Sequence, residues 1–131
     1  MHILLADDQP EVRSALRLLL ENESWMGEVD EAVDAQDLLN QVKATFPDLV
    51  LLDWELPGLQ SEHKSCLISC SSITIAGLRS ISPRSKVIVL SGRLEARTEA
   101  LNAQADFFVS KGDPPDVLLA TLRKIVVNGQ S

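Results

Sequence analysis

Four short apolar runs, each closed by a side chain with chemical potential, constrain this chain more than any other feature. Ile3-Leu4-Leu5-Ala6 runs into Asp7-Asp8, and Leu49-Val50-Leu51-Leu52 runs into Asp53. Val87-Ile88-Val89-Leu90 runs into Ser91, and Phe107-Phe108-Val109 runs into Ser110-Lys111. Short apolar runs bounded by turn residues read as strands buried on both faces, as in a parallel sheet. Ligands of open α/β sheets bind just beyond the carboxyl ends of the strands. If these strands are parallel neighbours, three carboxylates, a hydroxyl and an ammonium converge on one rim.

The segments between the runs carry helical spacing. Val12, Leu16, Leu19 and Leu20 form one stripe, with Arg13, Arg17 and Glu21 opposite. Asp8-Gln9-Pro10-Glu11 reads as the start of that helix, with an Asp cap and an early Pro. Val29 to Val33 reads as a strand with interleaved charges, as expected near a sheet edge. A helix over Asp34 to Thr45 carries Leu38, Leu39 and Val42 and stops at Pro47. Another covers much of Cys66 to Ile81, and a short one runs from Leu94 to Asn102. Asp113-Pro114-Pro115 opens the last helix, whose buried stripe is Val117, Leu118, Leu122, Ile125 and Val126. Five β-α units of this kind imply a parallel sheet covered by helices on both faces.

At 131 residues and 45% apolar content, the chain suits one domain with its own core. No apolar stretch is long enough to span a bilayer, and the N-terminus does not read as a secretory signal, so the cytoplasm is the expected location. A net charge of −7 argues against direct nucleic-acid binding and suits a hard cation such as Mg²⁺. Cys66 and Cys70 are too few for a disulfide framework. With His63 they offer three soft ligands in no familiar zinc spacing, and incidental thiols are the simpler reading.

Three carboxylates on one rim need an offset. Two unit charges about 4 Å apart repel by about 4 kcal/mol at an effective dielectric near 20. Mg²⁺ and Lys111 supply the opposite sign. A carboxylate can attack a phosphoryl group and form an acyl phosphate, provided the anion–anion repulsion is neutralised. Ser91 can donate a hydrogen bond to a transferring oxygen, and an ionised carboxylate needs no general base. Each residue also has a bland reading. Asp7-Asp8 could cap a helix, Asp53 could precede a turn at Pro57-Gly58, Ser91-Gly92 could be a cap, and Lys111-Gly112 could be a solvated turn. Their common position at the ends of consecutive runs is what makes the set specific.

The order and context of these residues resemble the receiver domain of two-component response regulators, from about Ile3 to Val127. The matching pieces are Leu5-Ala6-Asp7-Asp8-Gln9-Pro10, Leu51-Leu52-Asp53-Trp54-Glu55-Leu56-Pro57-Gly58, Val89-Leu90-Ser91-Gly92 and Ala105-Asp106-Phe107-Phe108-Val109-Ser110-Lys111. The resemblance implies a doubly wound, five-stranded, flavodoxin-like three-layer α/β/α fold with strand order 2-1-3-4-5, over residues 1–131. It implies that Asp53 is the phosphoacceptor and that Asp7, Asp8, Asp53 and the backbone carbonyl of Glu55 hold Mg²⁺. Ser91 would contact the phosphoryl oxygen, and Lys111 would pair with the phosphoryl group or with Asp53. Phe108 falls at the family's aromatic switch position. The implied partners are a histidine kinase or histidine phosphotransfer protein and a downstream protein or output domain, with homodimerisation left open. Such a module catalyses only its own phosphorylation and dephosphorylation. Its output face would comprise the fourth helix, fifth strand and last helix, with Arg93, Arg97 and Phe108 on it.

Two departures from the family pattern stand out. Residues 60–72 lengthen the connection after the third strand beside Asp53, and Gln104 stands where the family often has Gly. If the backbone at Gln104 needs positive φ, Gln costs about 1 kcal/mol relative to Gly. Two alternatives compete with a phosphorylated receiver. One is an atypical receiver that binds partners independently of phosphorylation. The other is a metal-dependent phosphatase with an aspartyl nucleophile, which would usually carry Asp two positions further on, where this chain has Glu55.

Overall fold

The computed structural model describes residues 2–23, 27–57 and 75–129. Among these described residues five strands alternate with five helices. They are β1 (His2–Ala6), α1 (Pro10–Glu21), β2 (Glu28–Ala32), α2 (Ala35–Thr45), β3 (Leu49–Asp53), α3 (Ile75–Ile81), β4 (Lys86–Ser91), α4 (Ala96–Asn102), β5 (Phe107–Ser110) and α5 (Pro115–Gly129). All pairings are parallel, in the order β2-β1-β3-β4-β5. This is the doubly wound topology expected from the sequence. Among the described residues no helix is long and apolar enough to cross a membrane.

The period of two explains why the central strands are apolar throughout. Leu4, Ala6, Val50, Leu52, Val87 and Val89 face one layer, with Leu38 and Val42 of α2 and Leu78 of α3. Ile3, Leu5, Leu49, Leu51, Ile88 and Leu90 face the other, with Leu20 of α1 and Leu118, Leu122 and Ile125 of α5. Phe107 and Phe108 divide between the two layers.

Several local expectations shift. β2 covers Glu28–Ala32, which leaves Val33 exposed at the sheet edge. α4 starts at Ala96, two residues later than the spacing suggested. In α5, Val117 is exposed and Leu119 is buried in its place. The start of α1 is capped differently from the expectation. Gln9 holds the N-cap position without a side-chain cap bond, and its N–H donates to Asp7 Oδ1 at 2.8 Å. Asp8 stays exposed. α2 does gain an Asp cap, as Asp34 accepts from the Asp37 N–H. It ends on Phe46 at φ 46°, since Pro47 disfavours another helical residue before it. Gln104 has φ 75°, so the left-handed turn before β5 is made without glycine. The 60–72 segment, its His63, Cys66 and Cys70, and the upstream part of the expected third helix lie outside the described residues.

Candidate functional site: an acidic rim with one lysine

The strand register brings the candidate residues together. Ala6 pairs with Leu52, and Asp53 pairs with Leu90, so β1, β3 and β4 end at one level. Three backbone bonds carry the ladder one step past the strand ends. Asp7 N–H donates to the Ala32 carbonyl at 3.0 Å, Trp54 N–H to Leu90 at 2.9 Å, and Lys111 N–H to Ser91 at 2.9 Å. The functional side chains therefore rise from backbone that is fixed by the sheet.

Asp7, Asp8 and Asp53 each offer a carboxylate oxygen to a cluster in which all three atoms lie within 4.8 Å of one another. Asp7 and Asp53 are almost fully buried. Lys111 Nζ stands 3.2 Å from Asp7 Oδ2 and 3.3 Å from Asp53 Oδ1. Asp53 Oδ1 also accepts the Glu55 N–H at 3.0 Å. Burial pushes the Asp53 carboxyl up to about 6, Asp7 adds to the rise, and the Glu55 N–H and Lys111 oppose it. Burial pulls the Lys111 ammonium down, but Asp53 and Asp7 outweigh it and leave it raised.

These residues suit a divalent cation. Asp7 Oδ2 is buried with no aligned hydrogen bond, although Lys111 lies at ion-pair distance. A buried oxygen in that state is costly unless another positive group reaches it. Three hard oxygen ligands, one of them on an exposed residue, match the needs of Mg²⁺, which binds through a few carboxylates and keeps several waters.

Ser91 is placed at the same rim, fully buried, but its hydroxyl is engaged elsewhere. It donates to the Glu55 carboxylate, with Oε2 at 2.9 Å and Oε1 at 3.1 Å, and accepts the Arg93 N–H at 3.1 Å. Phe108 is half-buried against the layer of α2 and α3. Arg93 and Arg97 are exposed.

Sequence reasoning missed two groups. Arg13 reaches back from α1, donating Nη1 to the Asp7 carbonyl at 2.8 Å and Nε to Glu31 at 2.6 Å. It thereby braces the loop that carries Asp7 and Asp8. The available signal was two arginines four apart on one face of α1, Arg13 and Arg17, both of which pair with Glu31 of β2. The second is the bonding of Glu55 to Arg93, which spans two loops and left no local signal.

A family model described as the response regulator receiver domain matches residues 3–123. The transcriptional activator protein ExaE of Pseudomonas putida is 33% identical over 129 residues, covering 96% of this chain and 55% of that protein. The phosphate regulon transcriptional regulatory protein PhoB of Escherichia coli (strain K12) is 29% identical, covering 95% of this chain and 51% of its own length. This chain spans about half the length of these curated relatives. A CheY-like receiver domain protein from Methanospirillum hungatei JF-1 superposes with a TM-score of 0.77 at 26% identity, covering 98% of this chain and 96% of that one. A LuxR-family two-component response regulator from Aurantimonas sp. SI85-9A1 gives a TM-score of 0.78 at 25% identity, covering 97% and 85%.

Proposed function

The chain belongs to the receiver domain family of two-component response regulators, and from that premise we propose that Asp53 accepts a phosphoryl group and thereby switches partner binding. The convergence of Asp7, Asp8, Asp53 and Lys111 on one rim is the observation that carries this reading. The donor is the phosphohistidine of a kinase or phosphotransfer protein. Asp53 Oδ1 is held by the Glu55 N–H and Lys111, so Oδ2 is the oxygen assigned to attack. The new O–P bond forms as the P–N bond of the donor breaks, and the electron pair leaves with the imidazole nitrogen. Lys111 offsets charge on the transferring oxygens. Mg²⁺, held by Asp7, Asp8, Asp53 and the Glu55 carbonyl, would supply the remaining positive charge. Hydrolysis of the acyl phosphate returns the carboxylate, so the chain turns over only its own phosphoryl group.

The switch reading assigns Ser91 to the phosphoryl oxygen and Phe108 to the space that movement of Ser91 leaves. A single added charged group then biases a two-state element. The receiving face is that of α4, β5 and α5, where Arg93, Arg97 and Phe108 would meet a downstream protein, an output domain or a second copy of the chain. We place this exchange in the cytoplasm and treat residues 1–131 as one receiver, with 60–72 as an atypical insertion in its sequence.

Incubation with Mg²⁺ and a small phosphodonor tests the reading. The expected product is one acid-labile phosphoryl group per chain, absent from Asp53→Asn. Labelling that survives this substitution would overturn the assignment. An unlabelled wild-type chain whose partner binding is unaffected by Asp53→Asn would favour the phosphorylation-independent module instead.

A further inference from the structure

A serine hydroxyl carries one proton. Here that proton is spent on Glu55, whose two carboxylate oxygens lie 2.9 and 3.1 Å from Ser91 Oγ. Glu55 is itself tied down. Arg93 Nε donates to Glu55 Oε2 at 3.1 Å, and the other arm of the same guanidinium reaches Glu99 Oε1 at 3.2 Å. Glu99 also accepts the Trp54 indole N–H at 2.9 Å. The Arg93 backbone N–H caps Ser91 Oγ at 3.1 Å. A continuous polar chain therefore runs from Ser91 through Glu55 and Arg93 to Glu99 on α4 and back to Trp54, the neighbour of Asp53.

On the reading of Asp53 as phosphoacceptor, we propose that Glu55 and Arg93 form a charge latch on Ser91. Glu55 is a positioning residue that keeps the Ser91 proton committed, and Arg93 is its pin. The hydroxyl cannot donate to Glu55 and to a phosphoryl oxygen at once. A phosphoryl group on Asp53 competes for that proton, and it replaces a carboxylate of charge −1 with a group of about −1.5 to −2 two residues from Glu55. Both effects drive the Glu55 carboxylate away. Opening the latch frees one arm of Arg93, whose remaining partners, Glu95 and Glu99, flank the start of α4. The state of Asp53 is thereby written into the arrangement of charges on the α4 surface.

The test uses the full chain with Mg²⁺ and beryllofluoride as the phosphoryl mimic. Glu55→Ala should tighten beryllofluoride binding about fivefold, a coupling of the size found between groups of one hydrogen-bond network. The same substitution made on Ser91→Ala should change affinity by less than about twofold, since no proton remains to compete for. Arg93→Ala should shift affinity in the same direction as Glu55→Ala. If Glu55→Ala leaves binding unchanged or weakens it, the latch is wrong. If the gain is as large without the Ser91 hydroxyl, Glu55 acts only through its charge and the latch is again wrong. Glu55 and Arg93 side chains are 43% and 45% exposed, so these substitutions spare the core. A second readout compares the variant, free of mimic and metal, with the wild type in both states. The Arg93 amide and Trp54 indole proton resonances should move in Glu55→Ala, toward their positions in the beryllofluoride-bound wild type. Unmoved resonances would overturn the latch. A wild-type chain that binds no beryllofluoride defeats the phosphoacceptor reading and the latch with it, whereas binding that Glu55→Ala leaves untouched defeats the latch alone.

Discussion

β3 begins at one kind of aspartate and ends at another. At its start, Asp48 is a structural residue. Its Oδ2 accepts the His2 N–H at 2.7 Å, its N–H donates to the His2 carbonyl, and its carbonyl accepts the Lys86 N–H. Asp106, just before β5 at the same end of the sheet, is held likewise by the Val87 N–H and Arg79 Nη2, both at 2.8 Å. At the far end of β3, Asp53 is buried in a cluster of three carboxylates faced by one ammonium. Both ends use carboxylates, and only their satisfaction differs. The lower rim spends its polar groups on tying strands to one another and, through Arg79, to α3. The upper rim keeps a buried Asp7 oxygen with no aligned hydrogen bond and a raised Asp53, an arrangement that costs stability and is found where chemistry is done.

That contrast can be broken by exchanging its terms. The largest effect is expected at Lys111. Lys111→Ala leaves two buried carboxylates without their counter-charge and should destabilise the metal-free protein by about 3 kcal/mol at pH 7.5 in urea denaturation. Added Mg²⁺ should recover most of the loss. Asp106→Ala at the other rim should cost about 2 kcal/mol and show no response to Mg²⁺. Equal Mg²⁺ responses from the two variants would erase the distinction between the rims.

The next effect concerns Asp53 and pH. The folded carboxyl keeps its proton up to about pH 6, whereas its ordinary value is 3.8. The metal-free fold therefore binds more protons than the unfolded chain in that window, so stability falls as pH rises through it. Asp53→Asn should be more stable than wild type by about 2 to 3 kcal/mol at pH 7.5, with the gap closing toward pH 4. A gap that widens on acidification would contradict the sign. Smallest is Gln104→Gly, in the turn before β5. Glycine removes the left-handed penalty at φ 75° and retains the carbonyl that Arg79 bonds, for a gain of about 0.5 to 1 kcal/mol. Thermal denaturation with and without Mg²⁺ should give the same increment for that substitution.

The strands were legible because apolar runs ending in polar residues report burial and direction together, and their order came from the resemblance of the run-ending motifs to receiver domains. The meeting of Asp7, Asp53 and Lys111 follows from that register. What could not be read depended on loop geometry. Of two adjacent aspartates, Asp7 rather than Asp8 took the N–H at the start of α1, and sequence alone does not tell them apart. In α5 the buried stripe takes in Leu119 and leaves Val117 exposed, although both are apolar and flank Leu118. Phe46 takes a left-handed cap usually given to glycine or asparagine, so composition offered no cue. The Ser91–Glu55–Arg93 chain joins two loops far apart in sequence, and no periodicity encodes it.

On the proposed reading, side chains just past β1 and at the end of β3 make one cation site around Asp53. Calorimetric titration of Mg²⁺ into the metal-free chain measures it directly. Binding at one site is expected, weakened by more than about tenfold in Asp8→Asn, which removes a charged ligand and leaves the buried pair in place. A wild-type chain that takes up no Mg²⁺, or an Asp8→Asn chain that binds it equally well, would contradict it.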